Sequence, residues 1–215
     1  MNLEQKNAHP LDKRIEFDEE NHIYFVDGMP YDISVTGFIK SFFQEFNADK
    51  VIEKNYSKWQ SERDSKYYGL TIEEIKHSWK KNAEDASAQG NKLHKDIEAF
   101  YNDIEFHNNS VEFNFFLNLN DRLKEKFKPY RTEWTIFDEE VKLAGSVDMC
   151  YTDEANNFYL FDWKRSKQIK KENQYRKGKH PLSHIDDANY WHYALQLNIY
   201  KYILEKNYSK NICSM

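Results

Sequence analysis

Apolar residues return at helical or strand spacing along most of the chain, and the changes of period divide it into elements. Ile15 to Phe17 and His22 to Val26 alternate around a turn at Asp18-Glu19-Glu20-Asn21, which predicts a hairpin over 15–26. Gly28 and Pro30 punctuate its exit. Ser34-Val35-Thr36 reads as a cap before a helix through Phe38, Ile39, Phe42 and Phe43. Residues 48–68 are mixed but place Val51, Ile52, Tyr56 and Trp59 on one helical side. Thr71-Ile72-Glu73-Glu74 has the capping-box pattern and opens a helix with Ile75 and Trp79. A helix from about Glu84 to Asn102 carries the stripe Leu93, Ile97, Phe100 and Tyr101, with His94 and Glu98 four apart beside it. Val111 to Lys128 predicts another helix, ended by Pro129, and Tyr130 to Phe137 alternates as a strand. A hairpin follows over 141–164, and a last helix over 186–206 carries Tyr190, Tyr193, Leu197, Tyr200 and Leu204.

The order helix, strand, strand, strand, helix, behind a helical N-terminal lobe, predicts an α/β or α+β fold. Its expected form is a central mixed β-sheet flanked by helices. One domain over 1–215 is expected, with a hairpin and helical lobe at 1–83 and the core at 84–215.

The hairpin at 141–164 holds the most informative chemistry. Asp148 interrupts the apolar stretch Val141 to Tyr151, and Asp162 and Lys164 interrupt Phe158 to Lys164. The connection Thr152-Asp153-Glu154-Ala155-Asn156-Asn157 is turn chemistry. A register centred near Ala155 puts Asp148 opposite Asp162, with Cβ atoms about 4.5–5.5 Å apart. Two carboxylates at that spacing repel unless a cation lies between them, and a hard divalent ion such as Mg²⁺ suits carboxylate oxygens. Lys164 stands one step along the same strand face. Pairs of acids on neighbouring strands are also common surface features. Here, however, both interrupt apolar strands, where an uncompensated carboxylate costs free energy. Gly145, three residues before Asp148, adds backbone room.

Charge changes the picture along the chain. The 215 residues carry a formal net charge of −5. Residues 1–163 hold 20 Lys/Arg against 32 Asp/Glu, and residues 164–215 hold 11 against 4. Lys164, Arg165, Lys167, Lys170, Lys171, Arg176, Lys177 and Lys179 crowd one segment, with Glu172 its only acid. Such a segment beside a metal site suits a phosphate backbone, although a solvated loop has the same composition. No long apolar run and no N-terminal apolar signal are present, so an intracellular, cytoplasmic location without a membrane partner is expected, whether cellular or viral. Cys150 and Cys213 have no metal-ligand spacing, and no disulfide is expected.

Two further patterns complete the set. Gly90-Asn91-Lys92-Leu93-His94 continues to Ile97-Glu98, and Gln196 shares a helix face with Tyr200. Each alone reads as ordinary core or surface. In order, G-x-x-x-H-x-x-x-E, then Glu133-Trp134, then G-x-x-D, then D-x-K, then Q-x-x-x-Y, they resemble the PD-(D/E)xK nuclease superfamily. The likeness is to its RecB-like exonuclease branch, which includes the mitochondrial genome maintenance exonuclease and viral relatives. It spans about Ser34 to Tyr202, and Ile33-Ser34-Val35-Thr36 resembles the entry seen in some of those members.

The resemblance implies a restriction-endonuclease-like core and a role for each matching residue. His94, Asp148, Asp162 and the backbone carbonyl of Trp163 would hold Mg²⁺ or Mn²⁺. Lys164 would act with Asp148 and Asp162 in catalysis. Gln196 and Tyr200 would brace the site and meet the substrate strand, while Glu98 and Glu133 would support it. Arg165, Lys167, Lys170 and Lys171 are the expected DNA contacts. No iron–sulfur cluster is expected, because the members that carry one need four cysteines and this chain has two. Relatives add a strand where this chain ends, at Cys213-Ser214-Met215, which leaves the completeness of the sheet open. The implied function is a metal-dependent DNA exonuclease of replication, recombination or repair, preferring single strands or free ends. A structure-specific endonuclease and a catalytically inactive DNA-binding module are the alternatives.

Overall fold

The computed structural model describes residues 2–215 and shows mixed α/β content, with six α-helices and two sheets among the described residues. The chain divides into two compact units. One takes in Met1–Gln44 and Leu93–Met215, and the other Glu45–Lys92. The N-terminal hairpin therefore belongs with the larger unit rather than with the helical lobe.

The smaller unit is helical. It holds α3 (Ala48–Ser61), capped by the Asn47 side chain accepting from the Lys50 N–H at 2.9 Å. It also holds the start of α4 (Ile72–Tyr101). Thr71 and Glu74 form the reciprocal capping box that their spacing predicts. Ile52 and Ile75 are buried, and Trp59, Tyr67 and Trp79 meet ring to ring, with the Trp79 indole donating to the Tyr67 hydroxyl at 2.8 Å.

The larger unit opens with α1 (Leu3–Lys6) and a 3-10 turn over Pro10–Arg14. A three-stranded antiparallel meander follows, β1 (Ile15–Asp18), β2 (Ile23–Val26) and β3 (Met29–Tyr31). Helix α2 (Val35–Ser41) starts where Ser34 Oγ accepts the Gly37 N–H at 3.1 Å. After the end of α4 comes α5 (Val111–Leu123), capped by Ser110. The second sheet has the order β4 (Lys128–Asp138), β5 (Leu143–Thr152), β6 (Phe158–Phe161), β7 (Ile212–Ser214), and α6 (Asn189–Asn207) connects its last two strands. The first two pairings are antiparallel and the third is parallel, so this sheet is mixed. No helix among the described residues is long and apolar enough to cross a membrane.

Two apolar clusters hold this unit. The first joins Val35 and Ile39 of α2 to Trp134, Ile136, Val147 and Leu160 of the sheet and to Tyr200, Ile203 and Leu204 of α6. The second joins Leu93 and Ile97 of α4 to Phe113 and Phe116 of α5, with Trp163 packed against it.

Several boundaries differ from the sequence reading. The two helices expected around Thr71 and Glu84 are one 30-residue helix. Residues 80–89 are exposed on every side, so no apolar stripe marks them, but Ala, Lys and Glu suffice to carry the helix through. Helix α3 stops at Ser61, short of 68, and α5 stops at Leu123. Pro129 does not end that helix; it lies in β4, an edge strand, where its missing N–H is tolerated beside a register shift. β7 supplies a strand after α6.

Candidate metal centre

The β5–β6 ladder pairs Met149 with Phe161, Cys150 with Leu160 and Tyr151 with Tyr159. Extended by one step, this register sets Asp148 against Asp162, as a turn centred on Ala155 requires. Asp162 and Lys164 lie just past the end of β6, where the chain turns out of the sheet. The turn brings the Trp163 N–H to 2.7 Å from Asp148 Oδ2. Lys164 Nζ donates to Asp162 Oδ1 at 2.7 Å and stands 3.7 Å from Asp148 Oδ2.

His94 enters from α4. Its Nε2 is 2.7 Å from the Trp163 carbonyl oxygen, and its Nδ1 is 3.2 Å from Glu133 Oε1 and 3.7 Å from Asp148 Oδ2. Glu133 Oε2 accepts from the Ser146 hydroxyl at 3.1 Å. One ligand atom each from His94, Glu133 and Asp148 lie within 4.8 Å of one another. Asp162 joins this group through Lys164.

Glu133 is more central than a supporting role suggests. Thr132 pairs with Met149 and Trp134 with Val147, so Glu133 and Asp148 face each other across β4 and β5. The backbone of Glu133 is left-handed, with φ at 41°, inside a strand, whereas the other non-glycine residues with positive φ occupy turns and loops. That conformation costs of order 1–3 kcal/mol, and such residues cluster at functional sites. The signal was present in the sequence. The turn between β4 and β5 is centred between Glu140 and Val141, and the arithmetic that pairs Asp148 with Asp162 also pairs Glu133 with Asp148.

The electrostatics follow from burial. The Asp148 side chain is 7% exposed, and burial followed by the charge of Asp162 pushes its carboxyl up to about 7. Burial alone would lower His94, but its hydrogen bond to Glu133 and the charges of Asp148 and Glu133 prevail and push it up to about 9. Burial likewise opposes the charge on Lys164, yet Asp148 and Asp162 outweigh it and raise the ammonium further. Glu98, half-buried on α4, is raised by burial and then by the charge of Glu133, so it belongs to the surroundings of the cluster.

Gln196 and Tyr200 meet as their spacing predicts, the Gln196 amide donating to the Tyr200 hydroxyl at 2.9 Å. Tyr200 lies across Gly145 so closely that a Cβ there would come within 2.7 Å of its ring. Burial, aided by the charges of Tyr24, Asp148 and Asp162, outweighs the opposing hydrogen bond with Gln196 and holds the Tyr200 hydroxyl protonated. Tyr24 of β2, buried and raised by burial and by Glu133 and Asp148, is a neighbour that strand pattern alone could not assign. Tyr193, whose ring lies 5.7 Å from Lys164 Nζ, is another.

The basic segment divides. Arg165 pairs with Glu112 at 2.8 Å, Arg176 with Asp187 at 2.9 Å, and Lys179 donates to the Ser41 carbonyl at 2.9 Å. Lys167, Lys170 and Lys171 are exposed.

The donor set fits a divalent cation. His94, Glu133 and Asp148 each offer one ligand atom of the kind a divalent ion takes, and Asp148 is a buried acid with a second acid, Asp162, close by. No family model matches the chain, and no curated protein and no solved structure matches it.

Proposed function

We propose that the chain is a metal-dependent deoxyribonuclease, an exonuclease that hydrolyses phosphodiester bonds and prefers single strands or free ends. Replication, recombination or repair of DNA is the corresponding role. One observation carries the reading: a buried acid pushed up to about 7 shares its site with a second acid, a charged lysine, a histidine and a main-chain carbonyl. Such a set is poorly neutralised without a cation. The mixed sheet and flanking helices support the finer reading of a restriction-endonuclease-like core. The motif order from His94 to Tyr200 supports the RecB-like branch of the PD-(D/E)xK superfamily.

A Mg²⁺ or Mn²⁺ ion held by His94, Asp148, Asp162 and the Trp163 carbonyl would lower the pKa of a water and polarise a phosphate oxygen. The rest falls to the chain itself. Lys164 keeps its charge beside Asp148 and Asp162, so its ammonium offers fixed positive charge as negative charge builds on the phosphate. Asp162 aims that ammonium through a 2.7 Å hydrogen bond. Glu133 holds the Nδ1 side of the His94 ring, so that Nε2, which meets the Trp163 carbonyl in the metal-free protein, is the nitrogen that would turn to the ion. Tyr200, seated on Gly145 and tied to Gln196, braces the strand that carries Asp148. Hydrolysis forms one P–O bond to the water oxygen and breaks one to the leaving oxygen, which departs with a proton.

Digestion of end-labelled single-stranded, double-stranded and circular DNA, and of RNA, with Mg²⁺ or Mn²⁺ tests the reading. Loss of linear single strands with circles intact is expected. Absence of divalent-dependent cleavage of every substrate overturns it.

A further inference from the structure

The loop between Lys164 and α6 is built rather than loosely strung. Asn173 donates its side-chain amide to the Asp187 carbonyl at 2.6 Å, and its Oδ1 accepts the N–H groups of Tyr175 and Arg176. The Asn173 N–H reaches Asp186 at 2.9 Å, and Lys177 and Asp186 form an antiparallel bridge. On the near side, the Lys170 N–H donates to Asn189 Oδ1 and the Lys170 carbonyl accepts from the Tyr190 N–H. The Trp191 indole donates to the Lys171 carbonyl at 2.8 Å.

This fixed frame holds one large ring in water. Tyr175 is 89% exposed. Beside it is an open, polar cleft of about 490 Å³, lined by Gln168, Lys170, Asn173, Tyr175 and Asn189 among others. Glu172 and Asp187 also border it, but Asp187 is taken by Arg176 at 2.9 Å and by His192 at 3.1 Å. Lys170 and Lys171 are exposed on the approach. A displayed aromatic on a pinned turn, next to a polar cleft and two exposed lysines, Lys171 with its ammonium 4.5 Å over the Tyr190 ring, matches the chemistry of an unpaired nucleotide: a π-face to stack, polar edges to bond, a phosphate to neutralise. The frame is also mounted on the helix that faces the metal centre. Asn189 and Tyr190 hold Lys170, and Tyr193, about one turn or ~5 Å further along α6, approaches Lys164.

We infer that Tyr175 is a stacking platform for an unpaired base, with Lys170 and Lys171 taking adjoining phosphates. The loop thereby selects single strands for the metal centre. The inference rests on the nuclease reading for its purpose, but its test does not depend on cleavage. Binding of a labelled oligothymidylate and of a blunt duplex is measured by fluorescence anisotropy in EDTA, for the native chain, Tyr175→Ala and Tyr175→Trp. Tyr175→Ala is expected to weaken single-strand affinity about 5- to 150-fold, the span of one stacked base, and to leave duplex affinity alone. Tyr175→Trp is expected to retain affinity, with its fluorescence quenched on binding. Native single-strand affinity in Tyr175→Ala, or an equal loss on both ligands, overturns the platform. Mg²⁺-dependent digestion by the native chain is scored separately. A Tyr175-dependent binding difference without cleavage removes the nuclease and keeps the platform, and cleavage with Tyr175→Ala binding normally does the reverse.

Discussion

Asp138 and Asp148 are both buried carboxylates on the same sheet, and their surroundings treat them in opposite ways. Asp138, at the end of β4, is 1% exposed. Burial alone would raise it, but Lys206 Nζ at 2.9 Å from Oδ2 and the N–H groups of Glu140 and Val141 outweigh burial and hold it below the usual carboxylate range. Asp148 receives one N–H, from Trp163, and faces Asp162 and Glu133. Its nearest ammonium is 3.7 Å away and already bonded to Asp162. Burial alone therefore does not set the state of a carboxyl. The fold gives Asp138 an ammonium and two N–H groups, and it gives Asp148 one N–H and two acidic neighbours.

The comparison breaks most visibly in activity. Asp148→Ala, Asp162→Ala and Lys164→Ala are each expected to lower Mg²⁺-dependent cleavage at least about 100-fold while leaving the chain folded. Asp138→Ala should do the opposite. It strands the N–H groups of Glu140 and Val141 and leaves Lys206 with Glu140 alone, at a cost of about 2 kcal/mol, roughly 4–8 °C in melting temperature for a chain of this size, with the specific activity of folded protein unchanged. Circular dichroism melts beside initial rates separate the two patterns. A Lys164→Ala variant with native rates would end the assignment of the site.

Metal affinity gives the next effect. His94 at about 9 and Asp148 at about 7 both hold protons near neutrality in the metal-free protein, and both would have to release them to bind a cation. Affinity for Mn²⁺ is expected to rise about tenfold per pH unit wherever one proton is released per ion. Titration calorimetry in two buffers of different ionisation enthalpy counts those protons. Affinity flat from pH 6 to 8 would mean that neither group ligates.

Stability against pH is a smaller effect with opposite signs at the two acids. Asp148 has a folded pKa above its unfolded value, so the folded state binds the extra proton, and metal-free stability falls as pH rises from about 4 to 7. His94 extends that fall from about 6.5 to 9. Asp138 is depressed, so its contribution is present above about pH 4 and is lost as pH falls through its folded value. Metal-free melting temperature should therefore drop between pH 5 and 8, and Asp148→Asn should flatten the part below pH 7. An unchanged slope in Asp148→Asn would assign the drop elsewhere.

Much of the site was legible from local pattern. Strand parity and a turn centred on Ala155 place Asp148 against Asp162, and the β5–β6 register agrees. The caps at Ser34 and Thr71 needed only nearest neighbours along the chain, and they formed as read. Features that depend on distant partners were not legible. β7 is three residues long, and only parallel pairing with β6 makes it a strand. The 80–89 stretch has no buried face to give it a period. The basic segment reads as eight equivalent cations, yet Asp162, Glu112, Asp187, Asp186 and the Ser41 carbonyl engage Lys164, Arg165, Arg176, Lys177 and Lys179. Glu133 lay between these cases, since its position followed from the β4–β5 turn but its left-handed backbone did not.

Gly145 gives the finest test of why Asp148 differs from Asp138. Tyr200 is buried, its ring lies over Gly145, and its hydroxyl feels the charge of Asp148. Gly145→Ala puts a Cβ within 2.7 Å of that ring, which must shift. The overpacking should cost about 1–3 kcal/mol. A displaced ring admits water to Asp148, so its carboxyl should move down toward the ordinary range and the pH dependence of stability below 7 should shrink. Gly90→Ala is the control, because nothing lies within 4 Å of a Cβ there. Inside α4 that change should stabilise by about 0.5–1 kcal/mol and leave the pH slope alone. If Gly145→Ala destabilises but keeps the native slope, Asp148 owes its shift to Asp162 and Glu133 rather than to dryness, and the contrast with Asp138 is one of neighbouring charge alone.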